Sequence, residues 1–125
     1  MAKAIGEFSL KHSGSGYAKT DDGLTAYSNW EGTATDFGAV FGSLSVPLSM
    51  SDEDPSSGPC SWAGQAFLED GSGVIGTGEG TWKKADGAHA WSISMVLEIS
   101  NGTKLKSEGH IDLASLTYKG EMFEA

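Results

Sequence analysis

The chain has 125 residues, 17 of them acidic and 8 basic, with a formal net charge of -9. That length fits one domain, 1–125, able to bury a core without staples; the charge repels nucleic-acid backbones and anionic membrane surfaces. The single cysteine, Cys60, excludes an internal disulfide, and the start Met1-Ala2-Lys3-Ala4-Ile5-Gly6-Glu7 lacks a signal peptide's apolar run, so a soluble, cytoplasmic protein is expected.

Turn signals punctuate the chain at short intervals: Ser13-Gly14-Ser15-Gly16, Asp22-Gly23, Asp36-Phe37-Gly38, Asp70-Gly71-Ser72-Gly73, Asp86-Gly87 and Asn101-Gly102. Between them the alternation predicts about eight strands. In chain order these are Ala4–Leu10, Ala26–Thr35, Ala39–Ser49, Cys60–Glu69, Gly73–Trp82, His89–Ser100, Thr103–Asp112 and Leu116–Glu124. The acidic stretch Ser51–Pro59 breaks the alternation and reads as a surface loop. Asp112-Leu113-Ala114-Ser115 reads as one short turn before the last strand, and no window carries a longer helical stripe.

Period two sorts the residues onto opposite faces of a sheet. One face collects Trp30, Ala34, Val40, Leu44, Val46, Leu48, Trp62, Ala66, Leu68, Val74, Trp82, Trp91, Ile93, Met95, Leu97, Ile99, Leu105, Ile111, Leu116, Tyr118 and Met122. Glycines 32, 42, 64, 76, 78, 80, 109 and 120 share it. Glycine weakens a strand, so its repetition on the apolar face implies a tightly curved sheet in which bulky side chains need room. Hairpin-connected strands make an up-and-down meander. About eight of them suffice to close a barrel around side chains or one small ligand. The expected fold is therefore all-β, a single closed antiparallel barrel with the apolar parity inside.

Trp30, Trp62, Trp82 and Trp91 share the inward parity with Met95, Tyr118 and Met122. Together they are the candidate lining for a small hydrophobic or aromatic molecule; the alternative is that they fill the barrel as a core. Glu31, Glu79 and Glu108 sit beside glycines on the other parity. They are either solvated charges balancing Lys104, Lys106 and Lys119, or acid–base groups if the polar face lines the lumen. His12, His89 and His110 lack metal-ligand spacing, so no metal and no cofactor are expected. Cys60 has no basic neighbour and reads as an inert thiol. Gly76-Thr77-Gly78-Glu79-Gly80 lacks the lysine and helix of a phosphate loop.

Gly78-Glu79-Gly80-Thr81-Trp82, Ser107-Glu108-Gly109-His110-Ile111-Asp112-Leu113 and the ending Gly120-Glu121-Met122-Phe123-Glu124-Ala125 resemble a group of small bacterial β-barrel proteins. That group is similar in architecture to the allene oxide cyclase barrel, within the lipocalin-like, or calycin-like, shapes. The resemblance covers about half of the chain. It implies a closed antiparallel barrel, frequently a homo-oligomer, often with a central apolar cavity, and it carries over no catalytic residue. Three functions follow as expectations: a barrel that binds a small apolar molecule, a cyclase or isomerase working through a glutamate, or an assembly module with a packed interior.

Overall fold

The computed structural model describes residues 3–125. Eight strands run β1 Gly6–Lys19, β2 Gly23–Ala34, β3 Gly38–Ser49, β4 Ser57–Phe67, β5 Gly73–Lys84, β6 Ala90–Ile99, β7 Lys104–Asp112 and β8 Thr117–Glu124. Each pairs antiparallel with the next, and β8 returns to β1 from Gly6↔Met122 to Lys11↔Thr117, closing the barrel. Closure leaves no free edge along that seam.

The hairpin turns are built as their residues require. Between β2 and β3, Asp36 and Gly38 both adopt positive φ (67° and 66°), a region that Asp tolerates and glycine occupies freely. The Asp70 carboxylate accepts hydrogen bonds from both the backbone N–H and the hydroxyl of Ser72. These bonds hold its pKa below the usual carboxylate range.

Some elements differ from the sequence reading. Ser13-Gly14-Ser15-Gly16 is not a turn but the middle of β1, which continues to Lys19. A register shift between His12 and Gly14 accommodates the run. A β-bulge inserts one extra residue and bends the strand without ending it. Leu116 was expected inside; it instead sits in the β7–β8 turn at φ 54° and 45% exposed.

The three prolines of the chain share one region. Pro47 lies on β3 beyond Ser45↔Ser61, the last pair with β4, and Pro59 lies on β4 before it; Pro55 is in the loop between. β3 and β4 are unpaired with each other there, so a missing N–H costs no ladder bond between them.

Leu116 apart, the large apolar side chains of the inward parity turn toward the interior. Leu10, Trp30, Leu44, Cys60, Trp82, Ile93, Met95, Ile111 and Tyr118 form one buried cluster, with Phe8, Val40, Val46, Trp62, Trp91 and Leu97 half-buried against it. Burial of such side chains contributes about 25 cal/mol per Å² of apolar area removed from water. Two glycine pairs shape this interior. Gly42 and Gly64 face each other across β3 and β4. The Trp62 indole lies against them: a Cβ on Gly42 would stand 2.1 Å from its Cζ2. Gly109 and Gly120 face each other across β7 and β8, and the tip of the Phe8 ring would stand 2.8 Å from a Cβ on either. With these rings seated against bare backbone, part of the lumen stays open.

Candidate functional site

The open part is a cavity of about 90 Å³ in the half of the barrel where β1 begins and β8 ends. Its wall takes Phe8 and Leu10 from β1, Val40 from β3, Trp62 and Ala66 from β4, Val74 from β5, Met95, Leu97 and Ile99 from β6, Leu105 and Ser107 from β7, and Tyr118 and Met122 from β8. Phe37, in the turn after β2, stands at the same end. No charged side chain is among the described residues that line it.

Tyr118 lies at the centre. It is 2% exposed, and three aromatic rings meet it edge to face: Phe8 at 5.0 Å, Trp30 at 5.7 Å and Trp62 at 6.2 Å between centroids. Such contacts favour the tilted geometry over stacking and fix the ring in one orientation. Burial raises the phenol's pKa well above its ordinary value, with the Cys60 thiol adding to the rise. Burial likewise raises the pKa of Cys60. Both groups are therefore neutral at pH 7 and neither is an activated nucleophile or base.

Ser107 is the unusual member. It is 3% exposed, the one buried polar side chain in the core of the described residues, and its Oγ has no hydrogen-bond partner. The hydroxyl is close enough to Tyr118 to oppose the rise in its pKa, yet it falls short of a bond. An unpartnered buried hydroxyl is costly, on the order of 1–3 kcal/mol.

The sequence candidates divide between the two halves of the barrel. Trp62, Met95, Tyr118 and Met122 line the cavity. Trp30 packs behind Tyr118, and its indole N–H donates to Ser28 Oγ at 2.8 Å. Trp82 and Trp91 belong to the opposite half, where Trp82 lies against Gly58, pairs with Ile93 and buries an indole N–H that has no partner. The expectation of four tryptophans around one ligand thus gives way to one, Trp62, because inward parity fixes the face and not the height along the barrel. Parity did carry a signal for Ser107, which alternates with Leu105, Gly109 and Ile111 on β7.

The glutamates stay outside. Glu31 and Glu79 are exposed, and Glu108 accepts a hydrogen bond from Ser94 at 2.9 Å and an ion pair from Lys106 at 3.3 Å. Lys104 pairs with Glu98 at 3.6 Å. None of these carboxylates lines the cavity, so the arrangement with a polar lumen does not form. Among the described residues no group of three or more His, Cys, Asp and Glu side chains is placed to hold a metal ion. Comparisons with protein-family models, curated proteins and solved structures find no match to this chain.

Proposed function

We propose that this barrel binds a small, uncharged apolar molecule in the cavity between Trp62, Tyr118, Met95 and Met122. The observation that carries the reading is an open cavity inside the barrel with no charged side chain among the described residues that line it. An unfilled apolar cavity costs stability, about 24 cal/mol per Å³ in cores emptied by mutation. Occupation by a ligand recovers that loss.

The volume limits the guest. About 90 Å³ is below the roughly 150 Å³ that accepts a benzene in an engineered core. It is also well below the 300–1,000 Å³ of pockets for drug-sized ligands. One edge of a ring or a short hydrocarbon end enters, and the remainder lies at the mouth beside Phe37 and Val74. The outer wall supports a barrel surrounded by water, since Glu31, Glu79 and Lys106 point outward from mid-strand. Among the described residues no helix is long and apolar enough to cross a membrane.

Titration of tryptophan fluorescence with toluene tests the reading. Saturable quenching is expected, and its loss in Ala66→Phe and in Val74→Trp, which fill the cavity from its wall and near its mouth, with far-ultraviolet dichroism unchanged. Unaltered quenching in both filled variants would overturn it. Glu79→Gln is expected to leave toluene binding unchanged, because the carboxylate faces solvent.

A second reading, assembly through the outer wall, draws on Phe41 and Phe67. Their rings meet at 6.0 Å on the outside of β3 and β4, beside Ile75, which is 65% exposed on β5. Apolar side chains clustered on a surface mark a contact site more often than scattered ones do. Sedimentation velocity on the wild type and Phe67→Glu tests it.

A further inference from the structure

The orphaned hydroxyl on the cavity wall says what the guest carries. We propose that the ligand is a neutral molecule whose leading end bears a hydrogen-bonding oxygen, of ketone, aldehyde or alcohol type, and that this oxygen seats on Ser107 Oγ. The inference rests on the cavity being a binding site and adds the chemical class of its occupant.

Three observations converge on it. Ser107 Oγ lacks a partner although the residue is 3% exposed and lines the cavity. Trp82 Nε1 is the other buried side-chain atom without a partner among the described residues, but only Ser107 belongs to the cavity lining, where a partner from outside the chain can meet it. The second observation is the lining itself, which offers no cation to a carboxylate. An ion taken from water into such a place carries a penalty of several kcal/mol with nothing to offset it. The third is the nature of the neighbours. Tyr118 stands next to Ser107 and is neutral at pH 7, and Gln65, the remaining polar residue of the lining, carries no charge. The chain's net charge of -9 adds a long-range repulsion against anions. A fatty acid entering carboxylate-first is therefore excluded, while a neutral carbonyl or hydroxyl is accepted.

Geometry explains why the oxygen leads. Ser107 pairs with Met122 on β8 and Met95 on β6, so it sits at the level of the two methionines that flank the cavity. From the end of the barrel where Phe37 and Val74 stand, the lining on β7 runs from Leu105 to Ser107, so a guest entering at that end meets Leu105 before the hydroxyl. A molecule with oxygen at its leading end satisfies Ser107 while its hydrocarbon part fills the mouth.

The test uses three probes that share a phenyl ring, toluene, acetophenone and sodium benzoate, titrated calorimetrically into the wild type and Ser107→Ala at pH 7. Loss of one hydrogen bond is expected to weaken acetophenone by about fivefold to tenfold in Ser107→Ala. Toluene is expected to bind both proteins within about twofold. Benzoate is expected to bind the wild type at least roughly a hundredfold more weakly than acetophenone. In the infrared, the carbonyl stretch of bound acetophenone is expected at lower frequency in the wild type than in Ser107→Ala, a readout that a change in stability does not move. Equal acetophenone affinity and equal carbonyl frequency in the two proteins would overturn the seat at Ser107 while leaving the cavity reading intact if toluene binds. Benzoate binding as well as acetophenone would overturn the neutral class. Failure of all three probes would overturn the cavity reading itself.

Discussion

Gly42→Ala is the substitution through which packing of the barrel interior is tested most sharply. A Cβ at this position would stand 2.1, 2.6 and 2.7 Å from Cζ2, Cε2 and Cη2 of Trp62. Carbon atoms settle at about 3.5–4.0 Å, so the indole must withdraw by ~1.4 Å or more. Its one way out is into the cavity that it lines. Its Nε1 already lies 3.0 Å from where a Cβ of Gly64 would be, and its other neighbour is the fixed ring of Tyr118. Overpacking of this kind costs about 1–3 kcal/mol. With a urea slope of roughly 1–3 kcal/mol per M, the midpoint is expected to fall by about 1 M. Gly16→Ala is the control, since nothing lies within 4 Å of its added Cβ. A double-mutant cycle then identifies the cause. In a Trp62→Leu background Gly42→Ala is expected to cost less than about 0.5 kcal/mol, because the clash is with the ring. Equal costs with and without Trp62, or no cost at all, would refute the idea that glycine makes space for the indole.

Three further outcomes follow from the same contacts. Ser107→Ala, which removes a buried hydroxyl without a partner, is expected to leave the unliganded protein as stable as the wild type or to raise its stability by about 1 kcal/mol in urea unfolding; a loss of more than that would show a bond at Ser107. Burial holds Cys60 and Tyr118 above their ordinary pKa values of 9.0 and 10.0, so the unfolded chain ionises first. Stability is thus full below pH 9.0 and declines as the pH rises past that and then past 10.0, with the onset removed in Cys60→Ala; a flat profile through this range would contradict their burial. Asp54→Asn breaks the 3.1 Å pair with Lys84, but the carboxylate is 79% exposed, so a cost below about 1 kcal/mol that salt diminishes is expected from unfolding at two ionic strengths.

The barrel was largely legible in the sequence because closure, curvature and burial all act through one simple variable, the parity of each residue. Trp30, Ile93 and Tyr118 fall inward for that reason, and so do the glycines beneath the rings. Parity alone did not say where β1 stops. A bulge at His12 and Gly14 lets a strand run through a segment whose composition reads as a turn. Nor did it foresee Leu116, whose place in a tight turn outweighs its apolar side chain. The cavity was half legible. Trp62, Met95, Tyr118 and Met122 were marked by size and parity. That the open space lies at one end goes with Trp62 and Phe8 resting against paired glycines, and such cross-strand pairs appear only once the register is known. Ser107 was passed over because a serine among polar residues attracts no notice until its neighbours on the same face are counted.

The central claim is that a small apolar molecule occupies the end of the barrel flanked by Met95 and Met122. Methyl NMR of ¹³C-methionine protein, titrated with toluene, tests it directly, since Met50, 80% exposed, serves as an internal reference. The account predicts that the Met95 and Met122 methyl resonances shift together and saturate while Met50 stays in place. Resonances of Met95 and Met122 that remain fixed up to the solubility limit of toluene would contradict it.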